Sequence, residues 1–415
     1  MKARSVKGMI ARGSFVLRVL RRVLIGVMLA SPLFLQAQSG EPVTASSTPQ
    51  APTDEGKAWW KGITANGFAS FSYSYNTNTP STHLNQFRVF DFNDNEPQLD
   101  VGQLVVQHSA GEPGTLGFRL NMMAGSGVPE VTASYGLFRD ARTGIAHHFD
   151  IPEFYVSYVA PVGKGLRLDA GKFATHLGYE VIGGYDGYND NVSRGFIFGY
   201  GIPFTHTGVK ASYSFNRRVS TALLLTNGCD SVSRLNGGVT FAGQFSGIPS
   251  KTTTLTFNFL HGPEQLHNAH NQRSVYEATG SWKVVPPLSL AFDALYADED
   301  HAASDGSDAI WKGFAGYSKY TFTKQFSVAF RGEVFADSGG SRTGTSQTLR
   351  GFTLTPEYVL HVNASRLKSE LRHFDGKFVI RGEFRQDLSD QATFRKGTGF
   401  TRRQFTTAAN LIYLF

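Results

Sequence analysis

The chain has 415 residues, a single cysteine and a formal net charge of +7. All of that charge sits in the first 37 residues, which hold seven Lys/Arg and no acid, so the rest is neutral and lacks the electrostatic footprint of a nucleic-acid binder. One cysteine cannot close an internal disulfide, and beyond the N-terminal run no apolar stretch is long enough to make a membrane helix.

Lys2, Arg4, Lys7, Arg12, Arg18, Arg21 and Arg22 precede the apolar run VLIGVMLASPLFL at 23–35. That run is short and broken by Pro32. With Ala37 as the cleavage point, residues 1–37 read as a secretory signal peptide, the alternative being a retained N-terminal anchor. Residues 38–58 are rich in Pro, Ser and Thr and read as a disordered periplasmic lead-in. Trp59 and Trp60 stand where an interfacial aromatic anchor would, although ordinary core tryptophans would look the same.

From Gly62 onward the chain alternates apolar and polar residues at period two, which is the pattern of a strand between two different solvents. ITANGFASFSYSYN sets Ala69, Phe71, Tyr73 and Tyr75 against Ser70, Ser72 and Ser74. A polar stretch runs to about Glu96. Strands then follow near 98–108 and 116–123, at IPEFYVSYVA and LRLDAGKFA, and, after a glycine-rich loop, at GVKASYSF and VSTALLLT. GVTFAGQF, TTLTFNFL, SVYEATGSWKVV, LSLAFDALYA, AIWKGFAGYSKYTF, FSVAFRGEVFAD, FTLTPEYVLHV and KFVIRGEFRQD continue the series. Cys229, in NGCDSVSRLNGG, reads as an unpaired loop residue.

The final segment, TRRQFTTAANLIYLF, puts Phe405, Thr407, Ala409, Leu411, Tyr413 and Phe415 on one face and Arg402, Gln404, Thr406 and Asn410 on the other. A terminal strand closing on Phe415, with Tyr413 two residues before it, resembles the assembly signal of Gram-negative outer-membrane barrels. Leu411, Tyr413 and Phe415 are its candidate residues.

The count is sixteen strands, with 14 to 18 allowed because residues 363–376 are long for a turn. Short and long connections alternate, a rule that membrane barrels follow and soluble sandwiches have no reason to follow. The expected fold is therefore all-β: a transmembrane antiparallel up-and-down barrel over 59–415, with short periplasmic turns and long extracellular loops. Pro161, Pro286 and Pro287 fall in turns. Pro356 lies inside a strand pattern, where a local bulge is expected.

The phrases WWKGITANGFASFSYSYN with FRVFD, LRLDAGKFATHLGYEVI, NVSRGFIFGYGIPFTHTGVKASYSF, FRGEVFADSGG, VIRGEFRQDLSDQATF and the terminal IYLF, taken in order, resemble the OmpL-like family of β-barrel porins. The resemblance runs from about Trp59 to Phe415. It implies an outer-membrane barrel for passive passage of small solutes and names no solute.

No catalytic grouping stands out, because neither a G-x-S-x-G elbow nor an H-E-x-x-H pair occurs. His108, His176 and His206 do not make a phospholipase-like arrangement. His147, His148 and Asp150, and His261, His267 and His270, match no metal cage and read more readily as solvated loop residues. The acidic stretches at 298–308 and 186–191 lack a twelve-residue calcium loop. No cofactor and no enzymatic activity are expected.

The lumen carries the remaining chemistry. Charges on a lipid face cost about 2–4 kcal/mol for Arg or Lys at the midplane, so strand charges should point inward. The candidate pore-lining residues are Arg119, Arg167, Asp169, Lys210, Asp293, Arg331, Glu333, Lys377, Arg381, Glu383, Arg385 and Asp387, a balance too even for strong ion selectivity. Some of them should instead pair as ions that stiffen the wall.

The candidate constriction is the loop 178–201, GYEVIGGYDGYNDNVSRGFIFGYG, whose alternative is an outward surface loop. Tyr185, Tyr188, Phe196, Phe198 and Tyr200 should pack on the inner wall while Asp186, Asp190 and Arg194 face water. Replacing Arg381 and Arg385 by Glu should then shift ion preference toward cations.

The expected function is an outer-membrane porin that passes small hydrophilic solutes or ions. Its partners would be membrane lipid and the barrel assembly machinery, with no nucleic acid, and a homotrimer is one assembly it admits. A nonconducting structural or adhesive barrel is the alternative, and a soluble exported lectin-like β-protein is a third reading.

Overall fold

The computed structural model describes residues 62–140, 142–362 and 376–415. The proposed signal peptide, the lead-in, Trp59, Trp60 and the irregular connection at 363–375 lie outside the described residues.

Sixteen strands close into one antiparallel barrel. In chain order they are β1 (Ile63–Asn76), β2 (Glu96–His108), β3 (Leu116–Ala124), β4 (Phe149–Ala160), β5 (Leu166–Ala174), β6 (Thr205–Asn216), β7 (Val219–Cys229), β8 (Thr240–Ser250), β9 (Thr253–Pro263), β10 (Gln272–Val285), β11 (Leu288–Glu299), β12 (Ala309–Thr321), β13 (Phe326–Asp337), β14 (Gln347–Val362), β15 (Gly376–Ser389) and β16 (Arg403–Leu414). Each pairs with its sequence neighbours, and β1 pairs with β16 through contacts such as Phe71↔Leu411. Closure satisfies every edge, which an open sheet in lipid could not do. Besides the wall strands there are a five-residue helix, α1 (Val128–Thr132), which packs on the inner face, and a short hairpin (Phe394–Lys396 with Gly399–Thr401).

The period-two pattern sorts side chains as the two solvents require. Phe154, Val209, Leu225, Phe314 and Phe384 are exposed on the outer face. Ser70, Asp100, Asn121, Asn258, Arg331 and Arg385 are buried on the inner one. Along β16, Phe405 and Leu411 face out while Gln404, Thr406 and Asn410 face in.

The seam is held at its end by reciprocal backbone bonds, Gly67 N–H to Phe415 O at 2.8 Å and Phe415 N–H to Gly67 O at 3.1 Å. The Phe415 ring fills the place a Cβ on Gly67 would take, and Tyr413 stacks between Phe415 and Phe378.

Two local expectations are corrected. No bulge forms at Pro356: the β14–β15 register is unchanged on either side (Leu354↔Phe384, Glu357↔Arg381), and only the pairs between them are missing. The proline ring points outward beside Gly382, which has no side chain to obstruct it. A register shift does occur in β8, between Gly247 and Ser250, where Pro249 lies. Cys229 is the last residue of β7 rather than a loop residue, and its N–H donates to Glu264 at 2.8 Å.

Candidate functional site

The loop between β5 and β6 crosses the lumen, because its backbone has nowhere in the barrel to bond except to the charged wall. At its start, Gly178 N–H donates to Glu277 at 2.7 Å and Tyr179 N–H to Asp293 at 3.1 Å. Glu277 and Asp293 are neighbours on β10 and β11, and each keeps one buried oxygen that no donor reaches.

Along its second half the loop lies on β13–β15. Glu383 accepts the N–H of Val192 at 2.6 Å and of Ser193 at 3.0 Å, and Glu333 accepts that of Phe196 at 2.6 Å. Arg331 donates to Ser193 O at 2.7 Å and to Glu180 at 2.6 Å, Arg385 to Arg194 O at 2.6 Å, and Arg381 to Asn189 O at 2.7 Å. Near its end, Trp311 donates to Gly201 O at 3.0 Å and Arg342 to Tyr200 O at 2.6 Å. Beyond it, Asp230, just after β7, accepts from Phe204 and Thr205 at 2.8 and 2.9 Å. Burial pushes the Asp230 carboxyl up to about 6, while those same N–H donors pull it the other way.

The tip reaches the opposite wall. Tyr185 N–H donates to Gln103 on β2 at 2.7 Å, and Asp186 pairs with Arg119 on β3. The loop thus spans the lumen and divides it. On the β2–β8 side remains a cavity of about 690 Å³, lined by Gln103, Arg119, Asn121, Glu153, Lys210 and Gln244 from the wall and by Tyr179, Tyr188 and Asn189 from the loop. On the β1–β16 side a space of only about 30 Å³ is left, beside Arg381 and Asn410.

The candidate wall residues therefore fall into two groups. Arg331, Glu333, Arg381, Glu383, Arg385 and Asp387 point inward but lie buried beneath the loops, knit by pairs such as Arg331–Glu333 at 3.1 Å and Arg385–Asp387 at 2.7 Å. Arg119 and Lys210 border the open cavity. Arg119 is held by Glu153 at 2.7 Å, and Asp169 holds both Lys210 at 3.2 Å and Arg167 at 2.8 Å. Lys377 donates to the Tyr188 hydroxyl at 3.2 Å, and Asp293 seats the start of the loop.

Of the candidate loop residues expected to face water, Asp186 and Asp190 are partly exposed and border the open cavity, whereas Arg194 is taken up by the loops themselves. Arg194 donates to the carbonyls of Val181, Ile182 and Val192 and lies over the Phe90 ring, because a guanidinium under two loops must find acceptors there. Asp190 is paired with Lys319 at 2.8 Å, and Asp186 with Arg119. Arg381 and Arg385 are likewise covered, so their replacement by Glu would unseat the loop before it altered ion preference. Asp150 is no solvated loop residue either. It is a buried member of β4, paired with Lys172 at 3.0 Å and hydrogen-bonded to Thr132 of α1.

Sequence reasoning missed the first loop, residues 77–95, which also folds inward. Arg88 donates to Asp387 at 2.6 Å and pairs with Asp91, and Gln86 exchanges bonds with Gln404. Phe90 packs against Phe198 and Phe204, and Phe87 against Tyr200. Phe87, Val89, Phe90 and Phe92, set in a largely polar loop, were the available signal.

Among solved structures, an anion-selective porin from Comamonas acidovorans superposes with a TM-score of 0.55 at 10% identity, covering 85% of this chain and 99% of that one. The outer-membrane channel DcaP of Acinetobacter baumannii gives 0.52 at 9% identity, covering 85% and 97%. The trimer form of OmpT from Vibrio cholerae gives 0.51 at 9% identity, covering 85% and 99%. No curated protein matches in sequence. At such identities the structural likeness speaks for the fold. The family model of beta-barrel porin-2, OmpL-like, matches residues 62–415, the whole of the barrel and both inward loops, and the chain belongs to that family of outer-membrane porins.

Proposed function

We propose that the protein passes small hydrophilic solutes by passive diffusion through the cavity between the inward loop and the β2–β8 wall. The observation that carries this reading is the pairing of every wall cation bordering that cavity: Arg119 with Glu153 and Lys210 with Asp169. Paired charges of both signs orient a polar solute while leaving little net field, which suits neutral or weakly charged molecules better than one sign of ion. Many acids and bases of the lumen hold one another or the loop backbone, in keeping with a channel rather than an enzyme.

Planar-bilayer conductance tests the proposal. The purified barrel should form steady channels with weak ion preference, and liposomes containing it should swell in small neutral sugars. Absence of both would favour the nonconducting barrel.

Two further assignments belong to this proposal. Phe415, seated on Gly67, together with Tyr413 and Leu411, serves as the signal read by the assembly machinery. Deleting Phe415 should lower the outer-membrane amount at unchanged synthesis, and unchanged folded barrel would remove the assignment. A homotrimer is the proposed assembly, supported by the trimer form of the Vibrio cholerae structure, and mass measurement in detergent decides it.

A further inference from the structure

The outer wall has an asymmetry that neither the lumen nor the family accounts for. Among the described residues, the outward faces of β1–β10 carry no exposed Lys, Arg, Asp or Glu. The outward faces of β12, β14 and β16 each carry one exposed cation: Lys312, Arg350 and Arg403. All three lie within the first four residues of their strands, at the ends reached from long connections and so at the extracellular rim. Their side chains have no ion pair or hydrogen bond among the described residues.

Each cation is followed two residues later by an exposed phenylalanine on the same face: Phe314, Phe352 and Phe405. The pattern K/R-x-F thus opens three alternate strands, with a cation toward the surface and an aromatic ring one step deeper. Arg350 and Arg403 both pair with Leu388 of β15. They are therefore two strand spacings apart, about 10 Å, which is within joint reach of two arginine side chains. Lys312 and Thr348, two residues above Arg350, flank Ala336 of β13 in the same way. Asp298 of β11, the one acid on the outward faces of β11–β16, lies at the edge of this patch beside Ile310.

We infer that Lys312, Arg350 and Arg403, with the phenylalanines beneath them, bind the phosphorylated glycolipid of the outer leaflet, its phosphates on the cations and its acyl chains along Phe314, Phe352 and Phe405. Unpartnered cations facing an apolar solvent are stabilised by an anionic headgroup at the same height, and guanidinium groups hold phosphate oxygens in pairs. The aromatic step below each cation matches the change from headgroup to hydrocarbon.

Native mass spectrometry of the detergent-solubilised barrel tests this with two probes, lipid A and enzymatically dephosphorylated lipid A. The wild type should hold lipid A, and the Lys312→Gln/Arg350→Gln/Arg403→Gln variant should lose at least about tenfold in affinity. The wild type should lose a similar factor for the dephosphorylated lipid, a comparison that needs no variant. Equal binding of both lipids, or equal binding by wild type and variant, would overturn the inference. So would a change of oligomeric size in the variant with lipid A binding intact, which would make this face a contact between copies of the chain.

Discussion

The two walls of the lumen use the same residue types to opposite ends. On β13–β15, Arg331, Glu333, Glu383, Arg385 and Asp387 are enclosed, and their hydrogen bonds go to one another, to neighbouring wall residues and to the two inward loops. On β3–β6, Arg119, Glu153 and Lys210 are also paired, but they border open space. Arginine and glutamate in a strand thus mark an inward face and do not say whether a solute meets them. What decides is which wall the loop lies on.

The largest effect should come from breaking the closed wall. Arg331→Ala removes the cation paired with Glu180 and one of the two paired with Glu333, leaving the buried Glu180 carboxylate without its ion pair, a loss of about 3–5 kcal/mol. The temperature at which the folded, fast-migrating form is lost should fall sharply, while Lys210→Ala on the open wall should barely move it. Similar falls in the two variants would erase the distinction between the walls.

Deleting residues 184–192 comes next. It removes the tip contacts at Gln103 and Arg119 and opens the divided lumen, so single-channel conductance should rise several-fold. Unchanged conductance would mean that solutes do not pass the tip.

Charge reversal on the open wall should be gentler. Lys210→Glu should move ion preference toward cations by less than about twofold, since bathing salt screens a solvent-facing group. Arg385→Glu on the closed wall should instead raise conductance and lower stability together, because it unseats the loop. A pure selectivity change in that variant would place Arg385 in the solute path.

The smallest effect concerns the tie at the loop's end. Burial pushes the Asp230 carboxyl up to about 6 in the folded protein, above its ordinary 3.8. Its contribution to stability is therefore complete below about pH 4 and is lost as pH rises through about 6. Unfolding midpoints should show a component of stability that declines from pH 4 to pH 7 in the wild type and disappears in Asp230→Asn.

The barrel was legible because period two needs only strand-local information: Phe405 and Leu411 outward with Gln404 and Asn410 inward can be read from β16 alone. The division of the lumen was not, since it depends on pairings between distant segments such as Arg88 with Asp387 or Ser193 with Glu383. The inward course of 178–201 was signalled by its glycines and aromatics. That of 77–95 was signalled only by Phe87, Val89, Phe90 and Phe92. Arg194 was misread because a charged residue in a loop normally meets water, and here a second loop lies over it.

The missing rungs at Pro356 have a mechanical consequence. The β14–β15 ladder runs from Leu354 to Glu357 without pairs between them, and the residues opposite that gap are Gly382 and Glu383. Glu383 holds Val192 and Ser193, and Thr355, on the other side of the gap, donates to Glu383 at 2.9 Å. One of the softer places in the wall thus lies directly behind the seat of the loop. A sheet with fewer rungs opens at lower free energy than its surroundings, so thermal breathing at this spot should reach the width of the passage through the loop it carries.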